Sequence, residues 1–213
     1  MTEAEWLTCV ELKPMWSALP LETCLRKSRL FMIACCRRHF HRAVDQECKE
    51  AIEVAERFAD GSEQLQTLTR LGEQIPPSDQ DDYGMPPPFP AAARWITRGE
   101  FTQSKDIRFL MDQVTLLMQD AGGRGEQAAQ ATLLLDIFGN PFRPIALESE
   151  WLTSTVLALA EGIYQDRAFD RMPILADALQ DAGCDSDDVL THCRGPGPHV
   201  RGCWVVDVLT GRK

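Results

Sequence analysis

A chain of 213 residues is long enough to bury a core without help from disulfides or structural metal, and its 44% hydrophobic and 25% charged residues set it apart from disordered chains. A formal net charge of −10 works against nonspecific attraction of the molecule as a whole to nucleic acid or anionic membrane. No apolar run approaches the roughly 18 residues of a membrane span, and the acidic opening Met1–Trp6 lacks the apolar stretch of a secretory signal, so the chain is expected to be cytoplasmic with no membrane partner.

Residues 21–42 read as one long helix. On a wheel, Cys24, Leu25, Ser28, Phe31, Met32, Cys35, Cys36 and His39 share one face, and Arg26, Lys27, Arg37, Arg38 and His41 fall on the other. Asp45 reads as the N-cap of the next helix, in which Cys48, Ala51, Ile52, Ala55 and Phe58 or Ala59 recur at helical spacing until Gly61 stops it. A short helix through Leu65, Leu68 and Leu71 follows within 62–75. The proline-rich stretch 76–90 is expected to be an extended loop or linker. It is the expected boundary between an N-terminal helical lobe, 1–75, and a C-terminal one, 91–213.

Beyond the loop, Ile107, Leu110, Met111, Val114 and Met118 form one stripe over 104–120. The glycines at 122, 123 and 125 interrupt it, a helix resumes over 126–138, and Gly139-Asn140-Pro141 ends that one. A helix at about 150–166 is expected to turn Trp151, Thr155, Leu159 and Ile163 or Val156 inward. Asp170 is expected to cap the next, with Pro173 in its first turn and Gly183 as its stop. Asp185 or Ser186 caps a short helix to about His192, and residues 200–209 are open between helix and strand. The fold class is all-α, an irregular multi-helix globule.

The segments Phe138–Pro144, Ala168–Leu179 and His192–Trp204, with the opening Met1–Leu7 and Leu30–Arg38, resemble an uncharacterised bacterial family abundant in planctomycetes. The resemblance spans nearly the whole chain apart from the proline-rich loop and about 91–130. It implies no activity. It implies that the C-terminal block is a module also attached to other proteins of that group, and that the position of Cys193 often holds another residue there, which argues against Cys193 as a ligand.

Three of the eight cysteines and two of the four histidines sit in 184–204, around the Gly195–Pro198 turn. In a cytoplasmic chain they are thiols or ligands rather than disulfides. Cys184, Cys193, His199 and Cys203 are the candidate zinc ligands, since tetrahedral zinc takes four N or S donors. Against this, the chain has no C-x-x-C pair, and Cys184 and Cys203 read equally as core residues with His199 fixing the turn. Cys35, Cys36 and His39 share a helix face, where a histidine bonded to a backbone carbonyl is the plainer account than metal.

Between Thr23 and Val44 lie five arginines, one lysine and no acid, a formal +6. Arg26, Lys27, Arg37, Arg38 and His41 are candidate contacts to nucleic acid or an acidic partner. An internal match is also open, because residues 148–190 hold ten acids against two arginines, a formal −8. The pair of segments 171–182 and 186–192 could pass for a helix-turn-helix, but Asp187 and Asp188 at the start of the second would repel phosphate.

No phosphate loop, H-E-x-x-H or G-x-S-x-G motif occurs, so no catalytic residue is named and the reading leans away from an enzyme. The expected function is a non-catalytic adaptor or regulatory module that binds another protein, with Phe89, Arg194 and Arg201 as candidate partner contacts. The alternatives are a nucleic-acid-binding accessory subunit using 26–42 and a small zinc-stabilised regulator. No cofactor other than zinc is expected.

Overall fold

The computed structural model describes residues 1–21, 24–42, 46–75, 88–98 and 104–212, and among these the regular structure is all helical, with twelve α-helices and no strand. None of the described helices is long and apolar enough to cross a membrane. The chain divides into two compact units, Met1–Thr132 and Leu133–Lys213.

The first unit opens with α1 (Glu3–Thr8), set by a capping box. The Thr2 hydroxyl accepts from the Glu5 amide and the Glu5 carboxylate accepts from the Thr2 amide. Helix α2 (Leu12–Ser17) buries Leu12, Met15 and Trp16. The long helix expected over 21–42 is α3 (Leu25–Arg38), followed by a 3-10 turn at Phe40–Arg42. Its burial is not one-sided. Every residue from Ser28 to Cys36 is buried, because α4 (Gln46–Ala59), α6 (Pro88–Ile96) and α7 (Ser104–Gly122) all pack on it. Helix α5 (Leu65–Gln74) packs on α4 and α6. The Asp45 cap lies outside the described residues.

Most of the expected proline-rich boundary, 76–87, also lies outside the described residues. Its last three residues, Pro88-Phe89-Pro90, are not extended loop but the first turn of α6, where missing amide donors cost nothing. Phe89 is therefore buried and is not an exposed partner contact. Helices α6 and α7 join α3, α4 and α5 in one core, so the units divide at 132/133 rather than at 76–90. That division falls inside α8 (Glu126–Phe138).

The second unit holds the end of α8, then α9 (Ser154–Asp166), α10 (Met172–Asp181), α11 (Asp187–Arg194) and α12 (Trp204–Thr210). Helix α9 starts at Thr153, whose hydroxyl accepts from the Val156 amide. It turns Val156, Ala160, Ile163 and Tyr164 inward and leaves Thr155 exposed. The residue before α10 is Arg171, with no side-chain cap, because Asp170 is taken up in a 3-10 turn. Pro173 and Gly183 stand where expected, and Ser186 caps α11 through the Val189 amide. The 200–209 segment ends in helix, not strand. Val205, Val206 and Leu209 share the helical face that enters a core with Ile163, Leu175 and Val189.

Candidate metal centre

Asp136, His192, His199 and Cys203 converge in the C-terminal unit, each offering one ligand atom, and these atoms all lie within 4.8 Å of one another. The last turn of α8 supplies Asp136 and α11 supplies His192. The Gly195–Gly202 turn supplies His199, and Cys203 is the residue from which α12 starts. Gly139 has a left-handed φ of 67°, and a Cβ there would lie 3.0 Å from the Trp204 indole. A side chain at that position would thus push on the residue next to Cys203.

Asp136 is the hub. Its Oδ1 lies 2.7 Å from His199 Nδ1 and 3.2 Å from His192 Nε2, and its Oδ2 accepts the Val200 amide at 3.0 Å. His192 Nε2 also lies 3.2 Å from Cys203 Sγ. The two imidazoles meet edge to face, with ring centres 4.8 Å apart. Asp136 and Cys203 are buried, His199 is nearly so, and the His192 side chain keeps 19% exposure. His199 Nε2 is buried with no hydrogen-bond partner among the described residues, an unsatisfied polar atom of the kind native cores rarely leave.

Burial alone would raise the Asp136 carboxyl. Hydrogen bonds from His192 and His199 and the charge of those rings overcome it and hold the group below its ordinary value. Burial, and then the Asp136 charge, push the Cys203 thiol well above its ordinary value. A free nucleophile needs the opposite. The geometry is also wrong for a Cys-His-Asp relay, which uses the two ring nitrogens for opposite neighbours. Here a single nitrogen, His192 Nε2, faces both the thiol and the carboxylate.

A divalent ion suits the same cluster. Oxygen, nitrogen and thiolate donors at bond lengths of about 2.0–2.3 Å around one ion stand about 3.3–3.7 Å from each other. The 3.2 Å His192 separations from Asp136 and Cys203 lie close to that range. With Cys203 deprotonated, two anionic and two neutral side chains balance a dication, which removes the cost of an unpaired buried charge.

Two of the four residues singled out from sequence, His199 and Cys203, belong to the cluster. Cys184 and Cys193 do not. Both are buried in the apolar core of the C-terminal unit, where burial raises both thiols, Cys193 to about 12. His192 and Asp136 complete the cluster in their place.

The basic helix is largely engaged within its own unit. Arg26 pairs with Asp60 at 3.0 Å, Arg37 with Glu56 at 2.9 Å and Arg38 with buried Glu126 at 3.1 Å. The acids these three arginines meet here belong to the N-terminal unit itself. Lys27 is half-buried on the same helix, and His41 is exposed beyond its end. Arg194 meets Asp177 and Gln180 at the surface. Arg201 donates to the Tyr164 and Gln165 carbonyls at the end of α9 and stacks on the Tyr164 ring.

No family model matches the chain, and neither a curated protein nor a solved structure matches it.

Proposed function

We propose that this chain is a non-catalytic helical interaction protein, an adaptor or regulator, whose C-terminal unit is stabilised by zinc. The observation that carries the reading is the convergence of Asp136, His192, His199 and Cys203 in a largely buried cluster. The mixed oxygen, nitrogen and sulfur donor set is borderline-soft and suits zinc, whereas calcium and magnesium take all-oxygen shells. Asp136 serves the ion directly, or it orients His199 through Nδ1 while the orphaned Nε2 meets the ion, the carboxylate–imidazole–metal arrangement. Both modes use the same four residues and the same charge.

The non-catalytic part is supported by the burial of Cys203 and by the single His192 nitrogen that faces both the thiol and the carboxylate. Phe142, Leu157 and Ile174 are exposed apolar side chains of the C-terminal unit and are the contacts that the interaction reading would use. Use of the basic helix for nucleic acid has less support, since Arg26, Arg37 and Arg38 already hold carboxylates.

Cobalt(II) titration of the chelator-treated full chain tests the centre. A thiolate-to-cobalt charge-transfer band that saturates at one equivalent and disappears in Cys203→Ser is the expected result. No band, or a band indifferent to Cys203→Ser, would overturn it.

A further inference from the structure

Resting on the zinc reading, we propose that occupancy of this centre latches the C-terminal helix α12 onto its unit, so that loss of the ion frees α12 while the rest of the unit stays folded. The chain order of the donors is the reason. Cys203 is the residue immediately before α12, and His199 lies four residues earlier on the same turn. Asp136 comes from α8, far back in the chain, and His192 from α11, the helix before α12. An ion held by all four therefore fastens the start of α12 to two other elements at a single point.

Helix α12 has little means of holding itself. It spans seven residues, less than two turns, and a helix so short depends on its attachments. At its far end Arg212 forms a two-pronged pair with Glu161 that is partly exposed. Between the ends, Val205, Val206 and Leu209 enter the core beside α9. The turn before the helix is held by Arg201 on the α9 carbonyls and by the Val200 amide on Asp136. Without the ion, the Cys203 end loses its link to α8 and α11 through a shared centre, and the helix relies on its apolar face, the Arg212 pair and the bonds of the preceding turn.

The centre is also built to exchange. His192 is its most exposed donor, so solvent and chelators reach the ion past that imidazole rather than through the core. A freed α12 would uncover the apolar face of Val205, Val206 and Leu209, which turns ion occupancy into a change of interaction surface.

Hydrogen exchange read by mass spectrometry on the full chain, zinc-loaded and chelated, tests this. The prediction is that amides of 204–210 exchange at least tenfold faster after chelation, that those of α10 change less than threefold, and that zinc restores protection. Chelation of the wild-type chain avoids reliance on a variant, and His199→Gln should reproduce the chelated pattern without chelator. Equal protection of α12 in a chain whose cobalt spectrum proves ion binding would overturn the latch and leave the zinc reading intact. Loss of protection across the whole unit would overturn the latch in favour of an ion that holds the entire unit. Failure to bind zinc or cobalt at all would remove both.

Discussion

Replacing Asp136 by Asn tests the hub with almost no change of shape. The carboxylate meets His199 at 2.7 Å, His192 at 3.2 Å and the Val200 amide at 3.0 Å. An amide in its place turns one acceptor oxygen into a donor, so either the Val200 amide or the imidazole side faces a like group. Each hydrogen bond to a charged group is worth about 1.5–3 kcal/mol, and breaking a buried charged pair costs about 3–5 kcal/mol. Two spoiled contacts at the first rate fall in the second range, so Asp136→Asn should weaken the C-terminal unit by about 3–5 kcal/mol. Every 1.4 kcal/mol is tenfold, which makes amide exchange in α9 to α11 roughly two to four powers of ten faster. Measured on chelated protein, the comparison leaves ion loss out of the effect. Asp177→Asn, which touches only Arg194 at the surface, should stay within about 0.5 kcal/mol. An Asp136→Asn effect below tenfold would refute the claim that this carboxylate organises the cluster.

Two further results are expected. Arg38→Glu sets a second carboxylate against buried Glu126 and should destabilise the N-terminal unit by about 3 kcal/mol or more, seen as an earlier thermal transition. An unchanged transition accompanied by lost nucleic-acid binding would instead favour the basic helix as a binding face. Hydrogen bonds from Arg212 and then Gln165 hold Glu161 below its ordinary value, so its contribution is complete above the ordinary glutamate range and fades as pH falls through the lowered value. Because Glu161 is about half exposed, the effect should stay under about 1 kcal/mol, and Arg212→Ala should flatten that acid limb of the stability profile.

The elements that sequence makes plain are those with a strong period or a definite stop. The stripe of α7 through Ile107, Met111, Val114 and Met118 is buried as its spacing dictates. Pro173, Gly183 and Ser186 each sit where their backbone chemistry requires. Helix α6 is hidden because its prolines read as breakers, although in a first turn they break nothing. The unit division is hidden because it falls inside one continuous helix with no Gly or Pro to mark it. Periodicity places Thr155 inward and offers Val156 only as an alternative to Ile163, whereas packing buries both Val156 and Ile163 and leaves Thr155 exposed.

Half of the candidate metal centre is legible. His199 and Cys203 are close in the chain and flank a glycine-rich turn, the local pattern of ligand spacing. Asp136 is far from both in sequence, and no spacing rule connects it to them. Its one signal is a single acid in the apolar run Leu133-Leu134-Leu135-Asp136-Ile137-Phe138, since a lone buried carboxylate needs partners. Cys184 and Cys193 mislead because cysteine is both a ligand and a small core hydrophobe, and here neither joins the converging donor atoms that include Cys203.

Elemental analysis of the full chain, purified without a histidine tag or chelator, reads the metal content outright. About one zinc per chain is expected, lost in Cys203→Ser and His192→Ala and retained in Cys184→Ser and Cys193→Ala. A metal-free chain, or zinc that depends on Cys184 and Cys193 instead, would contradict it.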